Sequence, residues 1–135
     1  MIHIITNHHE TPKWLKLQAQ YLDRNTDEKY KVYCGLTDMQ SGAQVEPTPR
    51  YSFYSLQVPN IHADKLNALY KGITECHDDD LLVFLDPDAL VSEKDWDVRM
   101  REYLKDHSAV AISREENIEL GILILLKERS VLECF

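Results

Sequence analysis

The chain has few basic residues for its length. Its 135 residues carry 15 Lys and Arg against 23 Asp and Glu, which gives a formal net charge of −8. Proteins that bind polyanions usually present a basic surface, so we expect no nucleic-acid partner and no polybasic membrane anchor. A phosphate-bearing small molecule remains compatible with this charge if a metal ion screens its phosphates.

Cysteines and long apolar runs are also scarce. The three cysteines, Cys34, Cys76 and Cys134, form no CxxC pair, so neither a zinc finger nor a disulfide framework is indicated, and we expect a reducing, cytoplasmic location. The apolar run Ile122–Leu126 is much shorter than the roughly 20 residues of a membrane-spanning helix. We therefore expect no transmembrane segment. Because Met1–Ile5 has no basic lead and is too short, we also expect no signal peptide.

Predicted strands and helices alternate along the chain. Apolar or β-branched segments predict strands, and apolar residues repeated at spacings of three and four predict helices. The predicted strands are 1–6, 30–36, 51–58, 81–85, 109–113 and 120–126, and the predicted helices are 12–25, 62–76 and 93–106. This order predicts a single α/β domain over residues 1–135, with three α/β/α layers and a mostly parallel central sheet.

Two of the predicted helices begin with recognisable signals. Thr11-Pro12 predicts an N-cap followed by proline at the first helical position. Ser92 with Asp95 three residues later resembles a capping box with a shorter acid. We expect the first helix to face the core with one stripe of residues, which consists of Trp14, Leu15, Gln18, Ala19 and Leu22.

The strand predicted at 81–85 leads directly into two aspartates separated by a proline. Its unbroken apolar run predicts a strand buried on both faces, and Pro87 predicts its end because proline cannot donate to a sheet ladder. If this segment stays extended, Asp86 and Asp88 point the same way. Two carboxylates at the carboxyl end of a central strand suit a hard divalent cation such as Mg²⁺ or Mn²⁺. The alternative is a solvated turn, since Asp-Pro-Asp is good turn chemistry by itself.

These elements together resemble the nucleotide-sugar-binding half of a GT-A glycosyltransferase. The resemblance lies in the β-α-β start, in the helix that carries His62-Ala63-Asp64-Lys65-Leu66-Asn67, and in the strand that ends in the D-x-D motif Asp86-Pro87-Asp88. It covers roughly residues 1–126 and implies a Rossmann-like fold. It also implies a sugar nucleotide linked to UDP or GDP, held through Mn²⁺ or Mg²⁺, whose sugar is transferred to an unknown acceptor.

The resemblance implies two sets of site residues. Asp86 and Asp88 would hold the metal. The residues expected to bind the donor are Thr6, Asn7, His8, Asp38, His62, Lys65, Asn67 and Asp86.

The resemblance also implies a catalytic base beyond the D-x-D motif, in a segment that offers Glu115, Glu116 and Glu119. Complete GT-A domains continue with acceptor-binding elements beyond this segment, so we expect an acceptor half that is missing or supplied by a partner. The apolar segments Ile122–Leu126 and Val131–Phe135 make a homodimer a further expectation.

Two other functions remain as alternatives. A truncated, non-catalytic domain would bind the sugar nucleotide without turnover. A haloacid-dehalogenase-type phosphatase also places D-x-D at the end of an apolar strand, but its motif normally lies on the first strand. In that family Thr or Val stands two residues beyond the second aspartate, where this chain has Leu90.

Overall fold

A computed structural model describes residues 1–37, 45, 48–56, 62–113 and 120–126. In chain order, the elements are β1 (Ile2–His8), α1 (Pro12–Asn25), β2 (Tyr30–Leu36), β3 (Tyr51–Ser55), α2 (His62–Lys71), β4 (Leu81–Leu85), α3 (Trp96–Tyr103), β5 (Ala109–Ser113) and β6 (Leu120–Leu126).

The strands form a six-stranded sheet in the order β3-β2-β1-β4-β6-β5. The first four of these run parallel, whereas β6 is antiparallel to both of its neighbours. The α/β class and the mostly parallel sheet predicted from the sequence are therefore confirmed. Since β1 pairs with both β2 and β4, the carboxyl ends of these three strands meet at one edge of the sheet.

The sheet has a packed core on each face. Along β4, Leu81, Val83 and Leu85 face α1 and α3, while Leu82 and Phe84 face α2. All five side chains are buried, which confirms the prediction of a strand buried on both faces. The helices thus cover both sides of the sheet in three layers.

Some helix and strand bounds differ from those predicted. β1 runs two residues further than predicted, to His8, and β3 ends at Ser55 rather than at residue 58. α2 ends at Lys71 rather than at residue 76, and Gly72 closes its last turn by donating to the carbonyls of Ala68 and Leu69. α3 is also shorter than predicted, spanning Trp96–Tyr103.

The predicted capping box at Ser92 is wrong. α3 begins after Asp95, which has a left-handed backbone with φ of 57° and makes no side-chain capping hydrogen bond. At the first helix, the predicted position of Thr11 as N-cap is confirmed, but its hydroxyl does not cap the helix. It pairs instead with the Nδ1 atom of His8 at 2.8 Å.

The predicted stripe of α1 is only partly correct. Leu15, Gln18 and Leu22 are buried, but Trp14 is 41% exposed. Gln18 is therefore a polar residue on the buried face of the helix, a position that requires hydrogen-bond partners.

Candidate functional site

The carboxyl ends of β1, β2 and β4 form one edge of the sheet. Ile5 of β1 pairs with Phe84 of β4, and Asn7 pairs with Gly35 of β2. Two residues beyond the pair of Ile5 and Phe84, β1 reaches Asn7 and the segment after β4 reaches Asp86. The sheet thus brings the end of β1 close to the D-x-D motif, as parallel pairing requires.

The D-x-D motif forms a turn. The backbone N–H of Ala89 donates to the carbonyl of Asp86 at 3.0 Å, so Pro87 and Asp88 occupy the two interior positions. Asp86 is half-buried and Asp88 is exposed. The expectation of an extended segment is wrong here, because Asp86 and Asp88 stand at the first and third positions of a turn. The two interpretations weighed from sequence are therefore compatible: a turn occupies the edge of the sheet at which open α/β folds bind ligands.

Two buried oxygen atoms at the end of β1 lack hydrogen-bond partners among the described residues. They are Oγ1 of Thr6 and Oδ1 of Asn7. Leaving a buried polar atom unpaired is destabilising by about 1–3 kcal/mol, so such atoms call for a partner such as a ligand or a water molecule. Both residues lie at the carboxyl end of β1, with Thr6 facing α1 and Asn7 facing α2, because neighbouring side chains of a strand alternate between its faces. Their place at this edge makes them candidates for contact with a bound molecule.

Gly35 provides the space that Asn7 occupies. A Cβ atom at this position would lie 2.9 Å from Oδ1 of Asn7 and 2.5 Å from Cδ1 of Leu56. Any other residue would therefore displace one of these side chains. The sequence does not reveal this role, because it depends on which residue of β1 pairs with Gly35.

Lys65 of α2 is buried, with only 7% of its surface exposed. Lys65 is therefore not a solvated surface lysine of the helix. α2 connects the carboxyl end of β3 to the amino end of β4, so it runs from the candidate edge toward the opposite one. Leu69, one turn after Lys65, already packs beside Gly35. Lys65 therefore lies nearer than Leu69 to the candidate edge.

The other residues predicted for the site are distributed as follows. His8 is fully buried and turned toward α1, where it contacts Thr11 and Gln18. His62 is the first residue of α2, and Asn67 is half-buried within it. Asp38 and the three candidate bases Glu115, Glu116 and Glu119 lie outside the described residues.

Gln18 is a residue of this region that sequence reasoning did not nominate for the site. Its Nε2 atom donates to the backbone carbonyls of Asp86 at 2.9 Å and Ala89 at 3.0 Å. The signal available in the sequence was a glutamine within an otherwise apolar stripe. That signal indicates a buried polar partner but does not identify it.

A second polar cluster lies at the opposite, amino end of the sheet. Oδ2 of Asp80 lies 3.1 Å from Nε2 of His3, whose Nδ1 lies 3.1 Å from the Tyr33 hydroxyl. Asp80 also accepts hydrogen bonds from the Met1 amine and from the backbone N–H of His77, both at 2.8 Å. Donor atoms of His3, Cys76 and Asp80 lie within 4.8 Å of one another, a spacing compatible with a metal ion. The hydrogen bonds to Asp80 already account for its burial.

Burial determines the protonation of this amino-end cluster. It lowers the pKa of His3, which favours the neutral imidazole. Burial alone would raise the pKa of Asp80, but hydrogen bonds from the Met1 amine, His77 and His3 bring it down to about 2. The neutral ring of His3 therefore donates from Nε2 to a carboxylate and accepts at Nδ1 from Tyr33.

Comparison with solved structures identifies the fold. The mannosyltransferase PcManGT from Pyrobaculum calidifontis, solved with GDP-Man and Mn²⁺, superposes with a TM-score of 0.75 at 13% identity. The comparison covers 94% of this chain and 44% of that one. This chain has the GT-A-type fold. The suspected resemblance to this fold is therefore confirmed.

Two other structures share the fold at low identity. The galactosyltransferase LgtC, solved with donor and acceptor sugar analogues, matches with a TM-score of 0.56 at 16% identity, over 94% of this chain and 58% of its own. A 4-diphosphocytidyl-2C-methyl-D-erythritol synthase from Anaerococcus prevotii matches with a TM-score of 0.61 at 10% identity, over 95% and 72%. This chain thus spans less than two thirds of the length of both glycosyltransferases.

Sequence comparison finds no match. No protein-family model matches the chain, and neither does any curated protein. Within the described residues, no helix is long and apolar enough to cross a membrane.

Proposed function

We propose that this chain binds a nucleoside-diphosphate sugar through a divalent cation held by Asp86 and Asp88, as the donor-binding half of a glycosyltransferase. The observation that carries this proposal is the D-x-D turn at the carboxyl edge of the sheet, the same edge at which oxygen atoms of Thr6 and Asn7 lack partners among the described residues. Open α/β folds bind their ligands at this edge. The presence of GDP-Man and Mn²⁺ in the PcManGT structure supports the ligand class.

The residues of the turn suit the proposed cation. Carboxylate oxygen atoms are the preferred ligands of Mg²⁺ and Mn²⁺, and the exposure of Asp88 leaves room for a ligand phosphate. When bound, the cation would act as a Lewis acid that stabilises the diphosphate as the sugar leaves. Lys65 would add a positive charge on the same side of the site.

The nucleoside would contact the end of β1. The Thr6 hydroxyl and the Asn7 amide would form hydrogen bonds with the ribose or the base and so satisfy atoms that the described residues leave unpaired. Asp38, His62 and Asn67 complete the proposed donor site. A carboxylate of Glu115, Glu116 or Glu119 would deprotonate the acceptor hydroxyl.

Nucleotide titration calorimetry tests this proposal. GDP and UDP are titrated with and without Mn²⁺, and CTP is included because a cytidylyltransferase shares the fold. We expect Mn²⁺-dependent binding of a nucleoside diphosphate, which the double variant Asp86→Asn/Asp88→Asn abolishes. The matched control is Asp78→Asn/Asp79→Asn, which makes the same change in charge at exposed positions before β4.

Further measurements distinguish the alternatives. Hydrolysis of a bound sugar nucleotide would indicate a catalytic domain, whereas binding without turnover would indicate a donor-binding domain alone. An aspartyl-phosphate analogue trapped at Asp86 with beryllium fluoride would favour the phosphatase. Failure of every nucleotide to bind in the presence of Mn²⁺ would contradict the proposal.

A further inference from the structure

A single buried side chain of α1 holds the D-x-D turn at both ends. Nε2 of Gln18 donates to the carbonyl of Asp86, the first residue of the turn, and to that of Ala89, its last residue. Gln18 is fully buried, so bulk solvent does not compete for these bonds. The two interior residues, Pro87 and Asp88, lie between two backbone positions that are tied to one nitrogen atom.

The orientation of the Gln18 amide follows from its partners. Backbone carbonyls only accept hydrogen bonds, so the nitrogen of the amide must face the turn and its oxygen must face away. That oxygen lies 3.3 Å from Nε2 of His8. His8 must therefore carry its proton on Nε2 to donate to Gln18.

The second ring nitrogen of His8 extends this network to the start of α1. In the neutral ring with its proton on Nε2, Nδ1 is an acceptor, and the Thr11 hydroxyl donates to it at 2.8 Å. Each donor therefore faces an acceptor from Thr11 through His8 and Gln18 to the turn. This arrangement also explains why the Thr11 hydroxyl does not cap its own helix.

We propose that Gln18 is the positioning residue of the D-x-D turn, oriented by His8 and Thr11. It fixes the backbone of Asp86–Ala89, the turn that carries both proposed cation ligands. Gln18 itself would contact neither the cation nor the nucleotide. This inference rests on the proposed function, because it assigns a role in cation binding.

α1 offers a matched control in Asn25. This buried amide donates through Nδ2 to the carbonyl of Val91 at 2.7 Å, three residues beyond Asp88. Asn25 and Gln18 thus both connect α1 to the segment that follows β4. Of these two residues, only Gln18 contacts the turn itself. Substituting each in turn therefore distinguishes positioning of the turn from general stabilisation of the segment after β4.

The experiment compares Mn²⁺ affinity with stability. Gln18→Leu and Asn25→Leu are titrated with Mn²⁺ by calorimetry at a saturating nucleoside diphosphate, and their unfolding by urea is measured without metal. We expect both substitutions to lower stability, since each removes buried hydrogen bonds. Only Gln18→Leu should weaken Mn²⁺ binding, by roughly tenfold or more, as removal of an outer-shell partner does at metal sites.

A milder variant covers the case in which Gln18→Leu does not fold. Thr11→Val removes only the hydroxyl that orients His8, and it should weaken Mn²⁺ binding in the same direction by a smaller factor. Wild-type Mn²⁺ affinity in Gln18→Leu, or in Thr11→Val if Gln18→Leu does not fold, would overturn this inference but not the proposed function. So would equal weakening in Asn25→Leu. A wild-type protein that binds no Mn²⁺ would overturn the proposed function and this inference together.

Discussion

The hydrogen bonding of buried polar side chains on β1 and its neighbours differs between the two ends of the parallel sheet. At the amino end, the side chains of His3, Tyr33 and Asp80 bond to one another, and the Met1 amine also bonds to Asp80. At the carboxyl end, buried oxygen atoms of Thr6 and Asn7 lack partners among the described residues. Both sets of side chains belong to the same sheet, and β1 contributes to both.

This difference separates a structural cluster from a candidate ligand site. Burial of a polar group is stabilising only when its hydrogen bonds are replaced within the protein. The cluster of His3, Tyr33 and Asp80 meets this condition, so these three residues contribute to the fold. Thr6 and Asn7 do not meet it among the described residues, and their unpaired atoms lower stability unless a ligand or a water molecule pairs with them. Substitutions in the amino-end cluster should therefore change stability, and substitutions at the carboxyl edge should change ligand binding.

The largest effect is expected at the D-x-D turn. Asp86→Asn or Asp88→Asn should weaken Mn²⁺-dependent nucleotide binding by about a hundredfold, because each removes a charged oxygen ligand from the cation. Stability should change by less than about 0.5 kcal/mol for the exposed Asp88. Calorimetric titration and urea unfolding measure the two quantities. Wild-type affinity in both variants would contradict the proposed role of the turn.

The opposite pattern is expected for Asp80. Asp80→Asn should lower the free energy of unfolding by about 2 kcal/mol, since it weakens hydrogen bonds to a buried carboxylate. Mn²⁺-dependent nucleotide binding should stay at the wild-type value. Urea unfolding and calorimetry provide the comparison, with Asp79→Asn as the exposed neighbouring control. Loss of nucleotide binding in a folded Asp80→Asn protein would contradict the separation of the two ends.

The pH dependence of stability should also report on Asp80. Its pKa of about 2 in the folded protein lies below the value of about 3.9 expected in the unfolded chain. Its contribution is therefore present above pH of about 4 and is lost as the pH falls through about 2. Between these values, the wild-type protein should lose more stability than Asp80→Asn. Parallel curves for the two proteins would contradict this assignment.

A smaller effect is expected when Thr6 is compared with Tyr33. Thr6→Val replaces a buried hydroxyl, unpaired among the described residues, with a group of the same shape, so stability should be unchanged or should rise slightly. Nucleotide affinity should fall by roughly fivefold, the loss of one hydrogen bond. Tyr33→Phe should instead lower stability by about 1 kcal/mol without changing nucleotide affinity. A clear loss of stability in Thr6→Val would show that its hydroxyl is satisfied within the protein.

The smallest effect is expected at Gly35. Gly35→Ala places a methyl group against Leu56 and Asn7, which should lower stability by about 1 kcal/mol as both side chains shift. Nucleotide affinity should fall less than in Thr6→Val, because Asn7 moves but keeps its amide. Gly72→Ala is a suitable control, since its new methyl group would lie no closer than 3.3 Å to the Leu69 carbonyl. Equal loss of affinity in both variants would exclude a specific role for Gly35.

The order of elements and the class of fold were predictable from the sequence. The run Leu81–Leu85 predicted a strand buried on both faces, because only such a strand carries apolar residues at every position. Helix ends were less predictable. The side chain of Ser92 fits a cap, but the tertiary structure starts α3 at Asp95 with a left-handed backbone. Local propensity is too weak to determine such a boundary.

The candidate site was likewise only partly predictable from the sequence. The sequence by itself determined that two carboxylates follow a central strand, since apolar patterning and the position of Pro87 are local properties of the chain. Only the tertiary structure decided that the segment is a turn held by Gln18, and that Asn7 occupies the space left by Gly35. Those contacts join residues far apart in the chain, and hydrogen-bond complementarity selects them only after the sheet and α1 have packed together.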